Sequence, residues 1–418
     1  MTPFQLAAVF LSLVAVIGWV NARWVKLPSG VAMVLAGAAI PLLSPLLSRL
    51  GFHMVDVARQ INFPETVMGY MLAFLLFAGA TQVDLTELRL RLVSVWTLAT
   101  FGVVTSTALV GGGLWCIARL AGVQLPLPWA LAFGALISPT DPIAVLATVR
   151  QGRFSPTLKA VLQGEALFND GVGIVVFTAL VAFLGGQAPD PLLTLGLVVL
   201  KAIGGLVLGL GGGLLVIRLM AAIDDYAVEL TLTLALAAGV YALAEAIHVS
   251  GPIGAVAAGL LIGARRAEAA MSETTARYVE GFWELVDEVL NALLFLLLGL
   301  QLLVVEFHLR QIGLWVAAIV LVLLARVVVV APWGTFFALR KEERGATPLL
   351  VWGGLHGALS LALALSLPPG PARGLILSIT YAVVVFSVVV QGLTFPPLAR
   401  WLQPPRARVE GEVGAGGT

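Results

Sequence analysis

The stretch QGEALFNDGVG, residues 163–173, carries two carboxylates inside an apolar run from about Leu158 to Gly186. Glu165 and Asp170 fall where a lipid-spanning helix has its centre. Ionisable residues at that depth are costly and mark ion or proton pathways. Five residues at about 100° each set the two acids about 140° apart on a helix, so they face different neighbours. Asp170 shares a face with Ala166, and Glu165 shares one with Asn169. An unpaired buried charge is expensive, so one acid needs a fixed partner. The cations within apolar spans are Lys201 and Arg326. The other acid is then free to bind either a proton or a small cation, but hardly both. That exclusive choice is the least a site needs in order to exchange one for the other.

A second constellation sits in ALAFGALISPTDPIAVLATVR, residues 130–150, where Pro139 and Pro142 flank Thr140 and Asp141. Proline removes an N–H and pushes the residue before it toward extended backbone. Two prolines this close predict a helix broken near the bilayer middle. Such a break is tolerated only beside protein or a water-filled cavity. In LLVWGGLHGALSLALALSLP, residues 349–368, a matching interruption is formed by Gly353, Gly354, His356 and Gly357. His356 there is either a neutral anchor on a freed backbone carbonyl or a pH modulator whose positive charge would oppose a nearby cation.

The elements that must hold these residues follow from composition. The chain has 418 residues, 60% hydrophobic and 11% charged, with mean hydropathy +1.01. A soluble domain carries about twice that charge fraction. Thirteen apolar spans are expected, at about 4–20, 29–48, 65–82, 93–121, 128–148, 159–186, 192–222, 227–247, 251–264, 280–305, 312–338, 347–367 and 374–400. The loops leave no room for a soluble domain. An odd count puts the ends on opposite sides. With the N-terminus outside, seventeen Lys and Arg lie inside and five outside, which fits the positive-inside rule. It also permits six spans, a linker and six inverted spans, the plan of many secondary transporters. The expected organisation is therefore one transmembrane domain over 1–402, with repeats at about 4–186 and 227–400, a linker at about 192–222, and a short polar cytoplasmic tail at 403–418. In that plan the spans carrying the two interruptions, fifth and twelfth, correspond, and interrupted spans at matching positions point to a transport site. Gly205, Gly209 and Gly213 in the linker read as close helix packing.

Other classes find little support. The net charge of +1 gives no reason to expect nucleic acid, and the single cysteine, Cys116, allows no internal disulfide or metal motif. The N-terminal apolar run lacks a preceding basic residue and reads as a span rather than a signal peptide. No H-E-x-x-H, G-x-S-x-G or phosphate-binding loop is present, so an enzyme is not expected. Glu229 and Glu245 read as interfacial residues of the eighth span. Glu284, Asp287, Glu288 and Asn291 read as the start of the tenth, where acids suit a helix N-terminus or form a cation funnel, with Asn291 deep enough to line a cavity. Ser138 is a further cavity candidate. Trp24, Trp96, Trp115 and Trp129 read as interface anchors.

FGALISPTDPIAVL, GEALFNDGVGIVVF, LTLTLALAAGVYALAEAIHVSGPIGAVAAGLLIG, LVDEVLNALLFLLLGL and WGGLHGALSLALALSLP resemble, in order, successive blocks of the monovalent cation/proton antiporter family of the NhaP type. The resemblance covers nearly the whole chain. It implies an all-α polytopic fold of thirteen helices with inverted six-helix repeats, a linker helix and two broken helices crossing at the ion site. It implies a homodimer in the bacterial inner membrane, with no cofactor beyond the transported ions. Asp170 would bind cation and proton beside neutral Asn169, with Thr140 and Asp141 across from them, and Glu165 would form a structural ion pair with Arg326. The implied activity is electroneutral exchange of Na+ or Li+ for H+, with a K+/H+ exchanger or a cation channel as alternatives. Three positions depart from the family pattern. Ala166 stands where many relatives have serine, Ala78 where some have glutamate, and Gly-Leu-His-Gly where relatives usually read Gly-Leu-Arg-Gly. The first two changes remove oxygen ligands expected near Asp170.

Overall fold

The computed structural model describes residues 2–49, 62–141, 156–184, 191–264, 271–303, 305, 307–339 and 345–402. Pro142, the tail at 403–418 and ten of the basic residues used for orientation (Arg59, Arg150, Arg153, Arg265, Arg266, Arg340, Lys341, Arg344, Arg406 and Arg408) lie outside the described residues. Among the described residues the chain is helical apart from one isolated backbone bridge. The main helices are α1 (Pro3–Val20), α2 (Ser29–Arg49), α3 (Glu65–Thr81), α4 (Leu92–Leu120), α5 (Leu127–Ile137), α6 (Pro156–Leu184) and α7 (Pro191–Met220). They continue with α8 (Tyr226–Ala246), α9 (Gly251–Ile262), α10 (Glu273–Leu300), α11 (Ile312–Leu339), α12 (Ala346–Trp352), α13 (Ala358–Leu365) and α14 (Arg373–Leu402). Eight helices of the described chain are long and apolar enough to cross a membrane. Shorter apolar helices (α2, α3, α5 and α9) and the split pair α12 and α13 fall within the ranges of the other expected spans.

Local chemistry sets where helices begin. Thr2 and Gln5 form a reciprocal capping box at α1. Asp225 accepts from the N–H groups of Ala227 and Val228 at α8, and Ser250 caps α9. Ser272 caps α10 through the Thr275 N–H, so that helix starts at Glu273, well before the expected residue 280. Glu284, Asp287, Glu288 and Asn291 are therefore several turns inside α10. Reading them as helix N-terminal acids is corrected, because the dipole effect fades within the first turn.

Helices approach most closely where glycine removes a side chain. A Cβ on Gly299 of α10 would stand 2.5 Å from the Val34 carbonyl of α2, and one on Gly37 would stand 2.4 Å from the Leu296 carbonyl. On α7, Cβ atoms at Gly205 and Gly209 would each meet a backbone carbonyl of the α9 region at 2.2 Å, which bears out the packing reading of that stripe.

Three other expectations are corrected. Trp129 is buried beneath Gly370 rather than anchoring at an interface. Glu229 is fully buried where α8 meets α10, beside Thr275. Ala78 packs with Phe77, Ala258 and Trp283 in an apolar cluster, while α3 turns Leu72, Leu75, Leu76, Gly79 and Gln82 toward a cavity. It therefore does not mark a ligand lost from the site. Glu245 is exposed near the end of α8, as expected.

These close contacts make a direct test. Gly299→Ala should cost roughly 1–3 kcal/mol by forcing α2 from α10. Gly211→Ala, where an added Cβ meets nothing within 4 Å, should be neutral or slightly stabilising. Thermal melts of the two purified variants compare them, and equal melting would contradict the close-contact account.

Candidate functional site

Helix α5 stops at Ile137, and its end is held by side chains. The Ser138 hydroxyl donates to the Gly134 carbonyl at 2.6 Å and lies 3.2 Å from the Thr107 hydroxyl. The chain then continues without helix through Pro139 and Thr140 to Asp141. The Asp141 N–H donates to the Leu355 carbonyl at 2.7 Å, forming an isolated antiparallel bridge. Leu355 lies in the gap between α12 and α13, so the two interrupted segments meet backbone to backbone. Glycine is needed on the second segment. A Cβ on Gly357 would stand 2.4 Å from Asp141 Oδ2, and one on Gly354 would stand 2.4 Å from Arg326 Nε.

Helix α6 passes this crossing closely, because a Cβ on Gly173 would fall 2.2 Å from the Pro139 ring. Its two acids separate as helix geometry requires. Asn169 donates through Nδ2 to Thr140 Oγ1 at 2.8 Å, while its buried Oδ1 has no partner. Asp170 and Ala166 face a cavity of about 130 Å³ that also meets Thr140, Asp141, Asp287 and Asn291. Glu165 and Asn169 face a much smaller space, shared with Ser138, Arg326 and His356.

Of the two candidate cations, Arg326 is the one that reaches Glu165. Both guanidinium Nη atoms engage the carboxylate, one of them at 3.0 Å from Oε2. Nε and Nη2 also donate to the Leu350 carbonyl at 3.3 and 3.2 Å. One side chain thereby ties α6, α11 and α12 together. Lys201 is exposed on α7.

His356 is buried in the gap. Its backbone N–H donates to Ser387 Oγ at 2.9 Å, and Nδ1 lies 3.2 Å from the Pro139 carbonyl, placed to donate to it. This is the anchor geometry of the two readings offered by the sequence. Ser387 in turn donates to Gln391 Oε1 at 2.6 Å, and Gln391 Nε2 to the Trp352 carbonyl at 3.2 Å. Sequence reasoning missed Ser387 and Gln391. Their four-residue spacing in an apolar span was the available signal, since it puts both on one helix face.

A second cavity, about 350 Å³, reaches Asp141 and His356 past Asp287, Glu288 and Asn291. Asp141, Asp287 and Asn291 border both cavities. The first cavity also shares Gln82 and Gln163, two further residues that sequence reasoning missed, with a mouth of about 600 Å³ that carries Asp84, Lys159, Glu280 and Glu284. Carboxylate, hydroxyl and amide oxygens lining one cavity suit a hard cation.

The Glu165–Arg326 pair yields a stability prediction. Removing one member of a buried pair leaves an uncompensated charge and costs about 3–5 kcal/mol. Glu165→Ala and Arg326→Ala should each lower the melting temperature markedly. The double variant should lose less than the sum of the two. Additive losses would mean that the pair contributes no mutual stabilisation.

Comparison with known proteins agrees with this architecture. The family model for the transmembrane part of sodium/hydrogen exchangers matches residues 10–401. The chain is 44% identical to the Na(+)/H(+) antiporter NhaP of Pseudomonas aeruginosa, over 95% of this chain and 96% of that protein. It is 33% identical to the Na(+)/H(+) antiporter NhaH of Halobacillus dabanensis, over 95% and 96%. The fold superimposes on the sodium proton antiporter MjNhaP1 of Methanocaldococcus jannaschii at pH 8 with TM-score 0.73 and 21% identity, covering 95% of this chain and 97% of that one. With a match spanning almost the whole chain and relatives this similar, the protein belongs to the sodium/hydrogen exchanger family.

Proposed function

We propose that the chain exchanges Na+ or Li+ for H+ one for one, through alternating access, with Asp170 as the group that binds each ion in turn. The observation that carries this reading is the setting of Asp170. It lines a cavity where the extension of α5 meets the gap between α12 and α13, beside an asparagine rather than a second acid on α6. A carboxylate there takes either a proton or a cation, and the neutral Asn169 leaves α6 with one exchangeable charge. Thr140 and Asp141 would contribute oxygens from the crossing, and Glu165 with Arg326 would fix the scaffold. The similar proteins are named Na(+)/H(+) antiporters, which supports sodium as the cation. The reading extends to thirteen membrane spans in inverted six-helix repeats around α7, and to a single transmembrane domain. It places the chain as a homodimer in the bacterial inner membrane, with N-terminus outside and C-terminus inside, needing no cofactor. Ser138, Asp287, Glu288 and Asn291 would border the ion's route. His356, held on the Pro139 carbonyl, would modulate the response to pH only if its proton is lost or gained during the cycle.

Asp170→Asn should abolish cation-dependent proton movement in proteoliposomes while the purified protein keeps its wild-type elution and melting. Dye-quench traces with Na+, Li+ and K+ read this and rank the cations. Full proton movement in the variant would remove Asp170 from the mechanism.

Ala166→Ser, one helical turn before Asp170 and on the same cavity, should add an oxygen to the site and lower the apparent KM for Na+ or Li+. An unchanged KM for every cation would mean that the hydroxyl does not reach the ion.

A further inference from the structure

Asn291 lies on α10 and is only 5% exposed, yet it borders both cavities that reach the crossing. Its Nδ2 donates to Asp287 Oδ1, one turn earlier on the same helix, at 2.9 Å. An ionised carboxylate only accepts hydrogen bonds, so the amide nitrogen must face Asp287 and the amide oxygen must point elsewhere. Among the described residues that oxygen accepts no hydrogen bond, and it is not sealed from water as Asn169 Oδ1 is. It therefore opens into the space that Asn291 borders, the cavity of Asp170 and Asp141 together with the second cavity that also reaches Asp141.

Building on the exchange reading, we propose that Asn291 Oδ1 is a direct ligand of the transported monovalent cation and helps to set which cation is preferred. Small hard cations take carboxylate and amide oxygens alike. The Thr140 hydroxyl already receives the Asn169 amide at 2.8 Å, and Ala166 offers no oxygen at all. Asn291 supplies one from α10, a helix that belongs to neither broken segment. Being neutral, it adds a ligand without adding a second exchangeable charge, so one-for-one exchange is preserved. Asp287 acts on the ion through this amide as well as by its own charge, because it fixes which end of the amide faces the cavity.

The test measures apparent KM for Li+, Na+ and K+ in proteoliposomes of the full chain, at one pH, for wild type, Asn291→Ala, Asp287→Ala and the double variant. Loss of a ligand to an ion should raise KM for the preferred cation about tenfold. The ratio of KM values between cations should change, and the effect should persist in the Asp287→Ala background. Asn291→Ser, which retains a shorter oxygen, should fall between wild type and alanine, and it carries the test if the alanine variant does not fold. An unchanged KM in Asn291→Ala or Asn291→Ser overturns the proposal. So does an effect that is uniform across cations and vanishes without Asp287, since Asn291 would then only position that acid. Absence of cation-dependent proton movement in the wild type would instead defeat the exchange reading itself.

Discussion

Backbone amides and carbonyls inside a membrane must find partners, and this chain ends one helix at Ile137 and interrupts another between Trp352 and Ala358. Everything at the site depends on how those freed groups are satisfied. The Asp141 N–H bonds the Leu355 carbonyl, so each break satisfies part of the other. The Pro139 carbonyl receives His356 Nδ1, and the Leu350 carbonyl receives Arg326. Proline is what makes the first break, and glycine is what lets the second come near enough to meet it. The Gly357 Cα stands almost against the Asp141 carboxylate, so even one methyl group there would push the acid aside.

The division of labour between the two acids of α6 follows from that crossing. Glu165 turns away from the cavity and is consumed by Arg326, whose remaining donors hold the end of α12. Asp170 turns toward the cavity, where the proposed exchange would use it for a mobile ion. Neither role comes from the carboxylate itself. The helix repeat separates them, and the neighbours decide the rest.

The sequence made the crossing legible because its signals are covalent. Pro139 and the run Gly353, Gly354, Gly357 interrupt helices whatever surrounds them, and the facing of Glu165 and Asp170 needs only the helical repeat. Residue type and position could not choose between Arg326 and Lys201, since both are lone cations in apolar spans; only the family resemblance named Arg326. Side-chain direction on α3 was also out of reach. Ala78 belongs to a helix that is apolar nearly all round, so no periodicity says which face meets the cavity. The start of α10 was misplaced because a polar first segment hides a helix that Ser272 already caps. Buried polar residues such as Glu229 and Trp129 likewise depend on neighbours far away in sequence.

The central claim is that one carboxylate serves proton and cation in turn. Titrating the purified protein with Na+ in weakly buffered solution tests it most directly, with proton release and heat of binding followed together across a range of pH. Competition at a single group predicts about one proton released per ion bound at acid pH, with apparent affinity falling about tenfold per pH unit where the site is protonated. Binding that releases no protons and has the same affinity at every pH would contradict it.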